Sequence, residues 1–156
     1  MNLTDLAAAE GPQFSIVRVF DAPRELVWRA WTDASELAQW LHLFEVSTSN
    51  IAFDVRVGGR YRYTMTNEET GEQFPTGGEY LEVEPFDRLV FTWGDPDAPV
   101  AGTPVITLTF LPRGDSTELV FHLFGYEGAP GDGVVYDGWD EALVNFGRHL
   151  AGEQLG

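Results

Sequence analysis

From residue 51 to residue 124 the chain keeps a period of two, and the apolar members of each run fall on one side. Tyr61, Tyr63 and Met65 share a face, as do Leu89, Phe91 and Trp93, then Ile106, Leu108 and Phe110, then Leu119, Phe121 and Leu123. The opposite positions hold Arg62, Thr64, Thr92, Thr107, Thr109 and Glu118. Alternation of this kind marks strands with one buried and one wet face. It predicts strands at 51–57, 60–66, 77–84, 87–93, 104–112 and 116–124. Turn-forming stretches separate them: "GG" at 58–59, "NEETGE" at 67–72, "PFD" at 85–87, "GDPDAPVAG" at 94–102 and "RGD" at 113–115. Connections this short join antiparallel neighbours, so the runs form a meander. A sheet with one apolar face must be covered, and that requirement constrains the rest of the chain.

The cover lies at the end of the sequence. Val135, Trp139, Ala142, Leu143, Phe146 and Leu150 recur at helical spacing, with Asp137, Asp140, Glu141, Asn145 and Arg148 on the other side. Ahead of the meander, "QFSIVRVF" reads as a further strand. In "DAPRELVWRAW", proline and acids mark a helix start, and Val27, Ala30, Trp31 and Ala34 form its apolar stripe, bordered by Trp28. Asp33 is placed to cap a second short helix, on which Leu37, Trp40 and Leu41 share a face. Three of the five tryptophans thus fall between residues 28 and 40. Trp31 is expected to hold the first helix down, and Trp40 to wall the mouth of whatever lies between helix and sheet.

Composition narrows the classes. At 156 residues the chain suits one domain with its own core, over residues 13–152, after a lead-in at 1–12. Its 25 acids and 9 bases, all arginine, give a formal charge of -16. Such a surface repels phosphate backbones and anionic lipid, so neither nucleic acid nor membrane is expected as a partner. There is no cysteine, and the N-terminal stretch has neither the basic nor the apolar part of a secretory signal. With no apolar run near 18 residues, a cytoplasmic location is expected.

Strand, two short helices, six strands and a long helix, with "DAPRELVWRAWTDASELAQWL", "DVRVGGRYRY", "GGEYLEVEPFDRLVFTW", "TLTFLPRGDSTELVF" and "GWDEALVNFGRHL", resemble the activator of heat-shock-protein-90 ATPase homologue family. That family belongs to the START-like, birch-pollen-allergen-like (SRPBCC) superfamily, and the resemblance spans about residues 13 to 151. It implies an α+β helix-grip fold: a curved antiparallel sheet of about seven strands around the C-terminal helix, with a cavity between them. Relatives often carry an inward histidine near the end of the last strand. Here alternation puts Leu123 inward and His122 on the opposite face.

No catalytic residue is assigned. His42, His122 and His149 lack metal-binding spacing, and neither a metal nor any other cofactor is expected. "RVGGRYR" reads as a tight turn, and the acids at Asp95, Asp97, Asp132, Asp137 and Asp140 as solvated loops and helix-start complements. Asp54 and Arg56 are spaced to pair. Glu79 and Glu82 lie on a strand with an expected bulge, and an inward-turned acid there, or Tyr63, would be the candidate for acid–base chemistry. The expected cavity set is Trp40, Phe53, Tyr61, Tyr63, Met65, Phe91, Trp93, Leu108, Phe110, Phe121, Leu123, Trp139, Leu143 and Phe146. The reading is a protein that holds a small hydrophobic, aromatic or polycyclic ligand between sheet and helix. A co-chaperone-like protein-binding domain and a cyclase- or hydrolase-type enzyme are the alternatives, and a homodimer and a chaperone partner stay open.

Overall fold

A computed structural model describes residues 11–40, 46–67, 69–133 and 135–152. Seven strands form one antiparallel sheet: β1 (Gln13–Phe20), β2 (Val46–Phe53), β3 (Arg60–Asn67), β4 (Gln73–Glu84), β5 (Arg88–Thr92), β6 (Val105–Arg113) and β7 (Ser116–Phe124). Their order is β1-β7-β6-β5-β4-β3-β2. The meander therefore runs from β2 to β7, and the first strand closes beside the last, with Ile16 opposite Phe121. Helices α1 (Arg24–Thr32) and α2 (Ala34–Trp40) connect β1 to β2, and α3 (Val135–Leu150) ends the fold. This is the helix-grip architecture.

The core follows the alternation. Ile106, Leu108, Phe110, Leu119, Phe121 and Leu123 point inward and are shut off from solvent. Ala142, Leu143 and Phe146 meet them from α3, which packs on β1, α1 and α2. Each large apolar side chain buried here contributes about 1.5–3 kcal/mol. Asp33 caps α2, its Oδ1 accepting from the Ser35 and Glu36 amides at 2.8 and 3.3 Å. Those hydrogen bonds hold its carboxyl below the ordinary range, the Ser35 hydroxyl bond most of all. At the start of α3, Asp132 accepts from the amides of Tyr136 and Asp137, and Asp137 in turn accepts from those of Gly131 and Gly133. These acids serve the helix end.

Two expectations change. The strand expected at 51–57 lies at Val46–Phe53, because the chain turns back after Phe53. There the Arg56 amide donates to the Asp54 carbonyl, the Gly59 amide donates to the Arg56 carbonyl, and Gly58 has φ +83°. The Asp54–Arg56 ion pair forms across this turn, and Val57 is left 64% exposed. The outer face is also less wet than its polarity implies. Val90, Thr107 and His122 form a row across β5, β6 and β7, and all three are buried. Short side chains at the middle of a sheet lie in the shade of longer neighbours. Leu41 and His42 lie outside the described residues, as does the side chain of Ala34.

Candidate ligand-binding site

The inner face of β3, β4 and β5 is furnished with rings. Phe53, Tyr61 and Tyr63 stack along the sheet, with 5.2 Å between the Phe53 and Tyr61 centroids and 6.3 Å between Tyr61 and Tyr63. Tyr80 and Phe91 meet Tyr61 at 5.5 and 5.4 Å. Trp93 meets Trp139 of α3 edge-on at 5.5 Å. Among these rings remains a cavity of about 20 Å³, lined by Trp31, Leu37, Phe53, Tyr61, Tyr63, Tyr80, Leu89, Phe91, Trp93 and Trp139. Phe53 and Trp93 are the lining residues with half-buried side chains, so they mark its rim.

Local sequence explains how the rings are held. A bulge in β4 lies between Tyr80 and Glu82, and Thr92 is not among the ladder partners of β4. The Glu79 amide donates to Thr92 Oγ1 at 2.8 Å, and Tyr61 Oη donates to the Thr92 carbonyl at 2.6 Å. Gly78 stands opposite Tyr61 in the register, and a Cβ there would lie 2.1 Å from the Thr92 carbonyl oxygen. The glycine therefore keeps open the approach by which the phenol reaches across β4. Trp93 Nε1 donates to Tyr63 Oη at 3.3 Å. Burial keeps all three tyrosines protonated: Tyr63 is pushed up to about 12, and Tyr61 and Tyr80 are also raised.

The residues singled out from sequence separate into two groups. Phe53, Tyr61, Tyr63, Phe91, Trp93 and Trp139 converge on the cavity. Leu108, Phe110, Phe121, Leu123, Leu143 and Phe146 are closed core, and Met65 packs against that core at the far end of β3. Trp40 does not wall a mouth. It is 0% exposed, donates from Nε1 to the Ala30 carbonyl at 2.8 Å, and meets Trp31 and Phe146 edge-on at 4.7 and 4.8 Å. The roles of the two tryptophans are exchanged, because the indole of Trp40 turns back under α1 while Trp31 lies over the sheet. Sequence reasoning missed Tyr80, whose inward direction is set by the bulge and hidden from simple alternation. It also missed Leu37 and Leu89, although the periodicity had placed both on inward faces.

No acid turns inward at β4. Glu79 lies 3.4 Å from Arg60, and Glu82 lies 3.0 Å from Arg88, both on the outer side. His122 Nε2 lies 2.9 Å from Gln13 Oε1 on the outer face, whereas Leu123 is inward and closed. His149 meets Glu36 at 3.0 Å, joining α3 to α2, and Glu36 also pairs with Arg29 of α1. Among the described residues no group of acids and histidines is placed to hold a metal ion.

A seven-stranded grip on a C-terminal helix is accompanied by a match, over residues 21–151, to the family described as Activator of Hsp90 ATPase homolog 1-like protein. The chain belongs to that family. Among solved structures, a protein from Chromobacterium violaceum is 30% identical, with a TM-score of 0.78 over 88% of this chain and 96% of that one. A protein from Rhodobacter sphaeroides shares the fold at 23% identity and a TM-score of 0.77, covering 94% of this chain and 99% of that one. A family member from Aeromonas hydrophila shares it at 23% identity and a TM-score of 0.71, covering 90% and 92%. No curated protein matches the sequence. This Activator of Hsp90 ATPase homolog 1-like domain has the grip fold of these relatives, and no helix among its described residues is long and apolar enough to cross a membrane.

Proposed function

We propose that this domain binds a small, largely apolar aromatic molecule between the inner face of β3–β5 and helix α3. The observation that carries the reading is the incomplete closure of the interior, among the described residues, within a wall of eight aromatic side chains and two leucines. Ligand sites of this kind are concave and mostly apolar, with a few polar tips. The tips here are the phenols and the indoles. As it stands, about 20 Å³ has room for one water, whereas an apolar cavity that takes up benzene measures about 150 Å³. Binding therefore requires the rim rings of Phe53 and Trp93 to swing outward, a displacement that the buried wall residues resist. Among the described residues most aromatic side chains lie inside the grip, while Phe74, Phe86 and Tyr126 are exposed, and this balance favours a small molecule over a protein partner. Glu79 and Glu82 pair with Arg60 and Arg88 on the outer side, which removes these two acids from the enzyme alternative.

Thermal unfolding tests this. Naphthalene derivatives near their solubility limit should raise the melting temperature in proportion to occupancy, since a ligand selective for the native state stabilises it by mass action. Trp93→Ala should change that response more than it changes the unliganded melting temperature. A melting temperature indifferent to every aromatic probe would remove the basis of the proposal.

A further inference from the structure

The outer face of the sheet carries a second concavity, on the side of β3 away from the aromatic rings. A hollow of about 330 Å³ is lined by Ala52, Arg60, Tyr61, Arg62, Pro96 and Asp97. It exists because the strand neighbours of Arg62 lack bulk: Ala52 stands opposite it on β2, and Gly77 on β4. Gly77 also lets the loop after β5 settle against the sheet. Gly77 and Gly94 exchange backbone hydrogen bonds at 2.9 and 3.1 Å, and a Cβ at Gly77 would lie 3.0 Å from Pro96 Cβ. Arg60 ties the same loop down, donating to the Pro96 carbonyl at 2.6 Å and lying 3.4 Å from Glu79. The walls are therefore held by bonds within the protein, and the volume falls within the range of small-molecule sites, about 300–1,000 Å³.

Two charged groups on this hollow are uncommitted. Among the described residues seven arginines pair with a carboxylate, whereas the guanidinium of Arg62 has no partner. A chain with 25 acids has no shortage of carboxylates to offer it. The Asp97 carboxylate, on the loop side, is also without a partner among them; Asp97 bonds through its backbone amide, which donates to Asp95 Oδ1 at 2.9 Å. Arg62 and Asp97 do not pair with each other. A cation and an anion thus line one hollow and leave each other free. A simple anion placed there would meet Asp97 and an overall charge of -16, and a simple cation would meet Arg60 and Arg62.

We infer that this hollow binds a small zwitterion of the ω-amino-acid type, its carboxylate on the Arg62 guanidinium and its ammonium on Asp97. The planar fork of an arginine matches a carboxylate in two parallel hydrogen bonds, and an aspartate accepts from an ammonium. The site is separate from the aromatic cavity, because Tyr61 and Tyr63, on either side of Arg62 in sequence, turn to the opposite face and are buried there.

The probes are the ω-amino acids from glycine to 6-aminohexanoate, each beside the alkanoate and the alkylammonium of the same chain length. The Arg62 side-chain N–H and the Asp97 carboxyl carbon are followed by nuclear magnetic resonance of labelled protein at low salt. At least one amino acid should shift both signals saturably. It should bind at least about fivefold more tightly than either singly charged counterpart, the value of one exposed ion pair, and added salt should weaken it. Arg62→Gln should abolish the binding. Asp97→Asn should level the amino acid with its alkanoate, since the carboxylate contact alone survives. Both side chains are exposed, so neither substitution should disturb the fold. An alkanoate or alkylammonium that binds wild-type protein as well as the matching amino acid would overturn the zwitterion class. Shifts that leave Arg62 or Asp97 unmoved would overturn their roles, and the absence of a saturable shift across the whole series would overturn the site. None of these outcomes bears on the aromatic cavity, which is tested by its own probes.

Discussion

At the scale of single residues, Trp31 and Trp40 show what spacing on a helix can and cannot reveal. Both are inward by periodicity, and both are inward in the structure. Which one touches the cavity depends on how each indole turns, and helical period carries no information on that. Trp40 is enclosed by Trp31 and Phe146 and bonded to Ala30, so Trp40→Ala should cost about 3–5 kcal/mol in urea unfolding, the range of large-to-small changes in a closed core. Trp93→Ala, at the half-buried rim, should cost visibly less. His122 provides a pH test. Burial lowers its pKa below the ordinary 6.5, so the unfolded chain binds the proton more readily than the folded one. Its stabilising effect is complete above pH 6.5 and is lost as pH falls through the folded-state value. Stability should therefore decline below about pH 6.5, ahead of the carboxylates, and His122→Gln should remove that early part of the decline. A pH profile unchanged by the substitution would show that His122 does not carry it.

At the scale of elements, most strands were legible because their apolar faces alternate cleanly, and β7 lies where the pattern put it. β2 was not. Its first residues, "VSTSN", carry little apolar signal, while "IAFDVRV" alternates well and yet runs into a turn. Turn geometry at Asp54–Gly59 outweighs alternation there. The bulge in β4 was expected from "TGGEY", but its consequence for Tyr80 was not, since a bulge resets which residues face inward. The same segment yields a coupling prediction. Gly78→Ala would press a Cβ onto the Thr92 carbonyl and should cost about 1–3 kcal/mol as overpacking. Tyr61→Phe leaves that carbonyl without its donor and should cost about 1–3 kcal/mol. Because both changes break one contact, the double variant should be less destabilised than the sum of the two. Strict additivity in urea midpoints would mean that Gly78 and Tyr61 act independently.

At the scale of the whole molecule, the grip leaves a division of labour across the sheet. The side formed by β1, β7 and β6 is closed against α3 by aliphatic and phenyl groups. The side formed by β3, β4 and β5 is covered by rings that meet Trp139 across a small gap. Six positions of the cavity were legible in sequence because one-sided strands and one amphipathic helix leave few places for aromatic residues to go. Its size was not, because periodicity gives the direction of a side chain and not the volume that remains between neighbours. On the proposed function, this gap opens to admit an aromatic guest. Isotope-filtered nuclear Overhauser spectroscopy of the labelled protein with unlabelled 2-acetylnaphthalene tests it most directly. Cross-peaks are expected from naphthalene protons to the rings of Tyr63, Trp93 and Trp139. Cross-peaks confined to outer-face residues such as Arg62 and Val19, or none at saturating probe, would contradict it.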